Sequence, residues 1–220
     1  MKQYAFVVEL DRCIGCMQCE TACEMEGSSL LDASRIHVCQ VLPDSGGASQ
    51  ERYFLPVMCQ QCANPACVYV CPSASLTKDP EDGIIRFDPF TCIGCLECAK
   101  ACPYHALNTS QDKPRVDKCT LCMQAVQKGE VPPCVTACAG EALSIGNISD
   151  PDSEVSRRLT RAGGSAVFTL PNRRDCRPST RYIPSESEWQ DRLPEDLLRG
   201  SRTLPADTPK DCSKASSGGS

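Results

Sequence analysis

Four short stretches of this chain each carry four thiols. "CIGCMQCETAC" holds Cys13, Cys16, Cys19 and Cys23, and "CQQCANPACVYVCP" holds Cys59, Cys62, Cys67 and Cys71. "CIGCLECAKACP" holds Cys92, Cys95, Cys98 and Cys102, and "CTLCMQAVQKGEVPPCVTAC" holds Cys119, Cys122, Cys134 and Cys138. Clustered thiols can pair as disulfides, hold zinc or hold iron–sulfur cubes. A disulfide framework fits poorly: the total of 19 cysteines is odd, and "MKQYAFVVEL" has no apolar export segment.

Zinc usually takes two ligands from one turn and two from a distant one. The fourth group alone could pass for such a ribbon. The first and third groups instead have the spacing C-x2-C-x2-C-x3-C, and in the third a proline follows. That is the run that holds a [4Fe–4S] cube in bacterial ferredoxins, with the last cysteine reaching a neighbouring cube. Three cysteines two apart on a tight loop can each meet a different iron corner. The fourth, after three more residues, is expected on a helix and pointing away. Four groups of four therefore predict four [4Fe–4S] clusters, with structural zinc as the rival.

The elements around the thiols follow from this. Gly15 and Gly94 recur at one place in "CIGC", where a positive φ would turn backbone N–H groups toward sulfur and tune the cluster. Short strands are expected before each group, in "YAFVVELDRC", "YFLPVMC", "IIRFDPFTC" and "PRVDKC". More strands are expected after three of them, in "SASLTKD", "HALNTS" and "EALSIG", with "KDPEDG" as a hairpin turn. The expected unit is loop, short helix, strand, turn, strand. The fold class is α+β.

Composition agrees. Aromatic residues make up only 5% of the chain, so bound cofactors must supply order that a hydrocarbon core does not. The formal charge of −5 gives no nucleic-acid footprint. Four cubes at about −2 each would take the loaded chain to roughly −13, so the loops need many N–H donors. Without the cubes the chain is not expected to fold. No apolar run reaches the ~18 residues of a membrane span.

From residue 4 to about 150 the chain resembles the four-cluster iron–sulfur subunits of molybdopterin oxidoreductases, of the dimethyl sulfoxide reductase and polysulfide reductase type. The resemblance rests on the four cysteine groups in order, with "NPACVYVCPSASL", "EDGII" and "CIGCLECAKACPY", and more weakly on "TLPNRRDCRPSTRYIP". It implies two interleaved bacterial-ferredoxin-like dicluster halves, with short β-hairpins and an extended C-terminal tail. Residues 1–52 and 113–150 would form the outer half, and 53–112 the inner. It also implies the pairing. Cys13, Cys16 and Cys19 would join Cys138, and Cys119, Cys122 and Cys134 would join Cys23. Cys59, Cys62 and Cys67 would join Cys102, and Cys92, Cys95 and Cys98 would join Cys71. Two departures from the family pattern are Glu24 and Ala139, where proline would follow the fourth cysteine, and His105 in "CPYHAL".

The activity implied is electron transfer, not catalysis. The implied partners are a molybdopterin-containing catalytic subunit and a membrane anchor that oxidises quinol. The complex would be peripheral to the cytoplasmic membrane, on either side of it. Formate dehydrogenase or hydrogenase assemblies are the alternative setting, and a zinc-binding interaction module is the non-redox one. No Ser/His/Asp set, phosphate loop or nucleophile elbow appears, so no substrate site is expected.

The remaining residues read plainly. Residues 157–202 hold ten arginines and Trp189, which suits a solvated tail or an arm across a partner, with disorder from Ser201 on. Cys39 is expected as a buried thiol. Cys176 and Cys212 lie in the tail, where they could pair with one another. His37 is expected at the surface. Glu24, Glu26, Asp79, Glu81 and Asp82 are expected in solvated turns.

Overall fold

A computed structural model describes residues 1–26, 33–41, 53–109, 115–163, 167–170 and 173–184. The strands are β1 (Tyr4–Glu9), β2 (Ile36–Val41), β3 (Tyr53–Met58), β4 (Leu76–Lys78), β5 (Ile85–Phe87), β6 (Leu107–Thr109), β7 (Val116–Lys118), β8 (Leu143–Asn147) and β9 (Arg181–Ile183). The helices are α1 (Gln18–Met25), α2 (Ala66–Tyr69), α3 (Glu97–Ala101), α4 (Met123–Val126), α5 (Pro133–Thr136) and α6 (Glu154–Arg161). Every strand expected from the sequence is present, and the α+β class holds.

Three antiparallel hairpins, β2–β3, β4–β5 and β6–β7, carry the chain between cysteine loops. The fourth sheet has the order β8-β1-β9. Its centre, β1, reads as an unbroken apolar run because both faces are covered. Phe6 and Val8 point into the main core, while Val7 packs on the other face with Val155 of α6 and Ile183 of β9. That alternation is the two-residue period of a strand. The main core is mixed: Cys19, Cys59, Cys62, Cys67, Cys98, Cys102, Cys119 and Cys134 are buried in it among Leu10, Leu55, Ile84 and Leu121.

The segment after residue 150 differs from the expected tail. Ser153 caps α6 by accepting from the Ser156 N–H at 3.2 Å, and β9 runs parallel to β1. Tyr182 is fully buried and stacks on Phe168 with ring centroids 5.5 Å apart. A few apolar residues, Phe168, Leu170, Tyr182 and Ile183, anchor a stretch whose arginine content otherwise reads as solvated. Trp189, Cys212 and the stretch from Ser201 lie outside the described residues.

Candidate iron–sulfur sites

The first and third cysteine loops share one backbone shape. Gly15 and Gly94 have φ of +68° and +71°, and Met17 and Leu96 both sit at φ 61°, ψ 7° just before α1 and α3. A Cβ on Gly15 would also run into the Phe54 ring. The third cysteine of each loop, Cys19 or Cys98, already lies on the first helical turn. The fourth differs between them. Cys23 stays on α1, but Cys102 is extended, at φ −75° and ψ 115°, because the residue before Pro103 is pushed out of the helical region. The second and fourth loops reach the same end without glycine, through positive φ at Gln61, Leu121 and Cys122.

The thiols gather across groups. One small cavity is lined by Cys13, Cys16, Cys19 and Cys138, with Ile14 and Met17 beside them. Burial pushes the Cys19 thiol up to about 12, with the charges of Cys13 and Cys138 adding. Burial also raises Cys67 strongly, and Cys59 and Cys102 act on it. Cys62 is raised in the same way by burial, then by Cys59, Cys176, Cys102 and Cys67. Cys98 is pushed up to about 11 by burial, against a hydrogen bond from the Ala99 N–H, with the charges of Cys71, Cys92 and Cys95 adding. Cys134 is raised by burial, then by Cys119, Cys122, Cys23 and Cys19. Helix packing agrees: α1 lies against α5, and α2 against α3.

Each gathering is thiol throughout, and that donor chemistry fits an iron–sulfur cube. Several buried sulfurs facing one another cannot ionise together unless a cation or cluster compensates them, and iron would. Among the described residues no three His, Cys, Asp or Glu side chains form a set for a single metal ion. Backbone N–H groups aim at sulfur: Arg35 N–H at Cys23 and Leu121 N–H at Cys119, both 3.4 Å, and Ala142 N–H at Cys138, 3.2 Å. Cys71 is distinct. Desolvation pushes it up, but hydrogen bonds led by the Ser75 hydroxyl, at 3.2 Å, and the Leu76 N–H bring it down to about 7.

Neighbouring gatherings also meet. Cys98 acts on Cys67, Cys59 on Cys119, and Cys19 on Cys134. These contacts chain the thiols in the order Cys71, Cys92, Cys95 and Cys98, then Cys59, Cys62, Cys67 and Cys102, then Cys23, Cys119, Cys122 and Cys134, then Cys13, Cys16, Cys19 and Cys138. Cys95 and Cys16, at the two ends, are the exposed cysteines among those described.

Other residues fall where the sequence did not single them out. Lys78 donates to the Cys62 carbonyl at 2.9 Å and Lys118 to the Cys119 carbonyl at 2.8 Å. A basic residue directly before the fourth group, in "DKC", was the available signal. Cys176 is buried beside Cys62 and Cys102. Cys39 is buried in β2, as expected, and the exposed His37 meets Asn108 at 3.4 Å. His105 takes a φ of 47°, and desolvation lowers its pKa. Asp82 departs from the solvated-turn reading: it is buried, pairs with Arg86 at 2.5 Å and accepts from the Ile84 N–H. No helix among the described residues is long and apolar enough to cross a membrane.

Comparison with known proteins agrees with this chemistry. A 4Fe-4S dicluster domain family matches residues 50–148. The chain is 39% identical over 158 residues to a tetrathionate reductase subunit of Salmonella typhimurium, covering 71% of this chain and 63% of that one. It is 31% identical to a sulfite dehydrogenase subunit of Allochromatium vinosum, with 90% of each protein covered. It is 36% identical to a polysulfide reductase subunit of Wolinella succinogenes, covering 72% of this chain and 83% of that one. A chain whose thiols come together from separate cysteine groups, and which aligns along most of its length with these subunits, belongs to the 4Fe-4S iron–sulfur subunits of the dimethyl sulfoxide reductase and polysulfide reductase type.

Proposed function

We propose that this chain carries four [4Fe–4S] clusters in a row and conducts single electrons between a quinol-linked membrane subunit and a molybdopterin catalytic subunit. The observation that carries this is the order in which the thiol sets act on one another, with Cys95 and Cys16, the exposed cysteines among those described, in the first and last sets. When bound, each cube supplies a one-electron couple with little rearrangement. The protein's part is to hold, space and insulate. The ligand sets would be Cys13, Cys16, Cys19 and Cys138; Cys119, Cys122, Cys134 and Cys23; Cys59, Cys62, Cys67 and Cys102; and Cys92, Cys95, Cys98 and Cys71.

The packing of α1 on α5 and of α2 on α3 supports two interleaved ferredoxin-like halves, one within the other. The ends of the line support partner docking. Ile14 sits 62% exposed at one end, and Ile93 and Phe90 sit 66% and 97% exposed at the other. Apolar groups beside an exposed ligand are the surfaces that a catalytic and an anchor subunit would cover. In such a complex the chain would be peripheral to the membrane. It would have no substrate site of its own.

The test is ligand pairing. Cys138→Ser and Cys16→Ser should alter the same electron paramagnetic resonance signal, although the two lie far apart in the chain. Cys71→Ser and Cys95→Ser should alter another. Cys138→Ser altering the signal that Cys122→Ser alters, and leaving the Cys16 signal intact, would overturn the interleaved assignment.

A further inference from the structure

Lys118 is a buried cation between the two inner thiol sets. Its side chain is on β7, and the residue is only 1% exposed. Its Nζ donates to the Cys119 carbonyl at 2.8 Å, and the Gln61 side chain donates to that same carbonyl at 3.1 Å. Gln61 lies between Cys59 and Cys62, so this one carbonyl joins the fourth cysteine loop to the second. The positive charge acts on Cys67 of one set and Cys119 of the next, favouring the thiolate in both.

Among the described residues no Asp or Glu lies within ion-pair distance of Lys118 Nζ. The adjacent Asp117 is engaged by Arg35 at 2.7 Å. Successive residues of a strand face opposite ways, so Asp117 and Lys118 serve different surroundings. An ammonium buried without a counter-charge is costly, and its retention needs negative charge nearby. Two cubes, each about −2 with its thiolates, would supply that charge from both sides.

We propose that Lys118 is the shared counter-charge of the two inner clusters, raising both their reduction potentials and leaving the outer two unmoved. This rests on the four-cluster reading above. Adding an electron makes a cube more negative, so a fixed cation stabilises the reduced form of each cluster it faces. The inner pair would then accept electrons more readily than Lys118 would allow if it were neutral. Lys78 is the natural contrast. It bonds the Cys62 and Gly83 carbonyls, and the thiols that act on it are those of one set: Cys62, Cys59 and Cys67.

The experiment is a redox-poised electron paramagnetic resonance titration of the intact purified complex, wild type against Lys118→Gln, Lys118→Arg and Lys78→Gln. Lys118→Gln should lower two of four midpoint potentials, each by about tenfold in the reduction equilibrium, about 59 mV for one electron. Lys118→Arg should keep them near wild type, and Lys78→Gln should lower one. Four unmoved potentials in fully loaded Lys118→Gln, or an equal fall in all four, would overturn the role of Lys118 while leaving the wire intact. If Lys118→Gln loses iron, Lys118→Arg carries the test: retention of all four clusters supports a charge role, and loss there too overturns it. A wild-type complex without [4Fe–4S] signals would instead sink the four-cluster reading itself.

Discussion

The Tyr182 hydroxyl donates to the Pro56 carbonyl at 3.0 Å, tying the last described strand to the hairpin that delivers the second cysteine loop. The same oxygen accepts from Gln60 Nε2 at 3.2 Å, and the whole contact is buried. Tyr182→Phe removes a donor and an acceptor at once, and should cost about 1–3 kcal/mol. The check is the temperature at which the visible iron–sulfur absorbance bleaches. An unchanged bleaching temperature would mean that this strand does not brace the loop.

Arg35 and Asp117 form the most buried ion pair among the described residues, at 2.7 Å. Removing one residue takes the 2.7 Å ion-pair contact from the other buried charge. Asp117→Ala should destabilise by about 3–5 kcal/mol, while replacing both with Met and Leu should recover most of that loss. Thermal bleaching of the single and double variants measures the coupling. Equal losses in both would show that the pair contributes only volume.

Two glycines separate strain from space. Gly15 and Gly129 have φ of +68° and +79°, but a Cβ meets the Phe54 ring at the first and nothing at the second. Gly129→Ala should cost about 1 kcal/mol and leave the iron content full. Gly15→Ala should cost more and lower occupancy at the Cys13/16/19/138 set. Iron content per chain reads both, and equal behaviour would contradict the close packing of that loop.

Loading should release protons. An unburied cysteine thiol titrates at about 8.5, and burial only raises it, Cys19 and Cys119 to about 12 and Cys98 and Cys102 to about 11, so without iron these thiols are mostly protonated at neutral pH whether or not the chain is folded. Binding iron requires the thiolate. The sign is therefore fixed: cluster assembly becomes more favourable as pH rises and less favourable as it falls. Anaerobic reconstitution in weak buffer from about pH 6.5 to about pH 9 should give a rising yield and a measurable acidification. A yield falling with pH over that window would contradict the thiol ligand set.

Much of this site is legible in the primary structure because its chemistry is written in local spacing. Cys13, Cys16 and Cys19 sit close enough in sequence that no tertiary information is needed to group them. Which distant cysteine completes each set is not local, and spacing alone does not choose between Cys23 and Cys138. The hairpin strands are legible from short apolar runs between Gly, Pro and Asp. Lys118 is not, because a lysine looks like surface until β7 turns it inward and Arg35 claims Asp117. The described part of the C-terminal segment is hidden for a similar reason. A handful of buried residues, Tyr182 first among them, fixes a stretch whose charge count points the other way.

The most direct measurement is iron, zinc and acid-labile sulfide per chain in anaerobically purified complex. About sixteen irons and about sixteen sulfides, with negligible zinc, are what four [4Fe–4S] clusters require. Zinc bound without sulfide would contradict the account at its root.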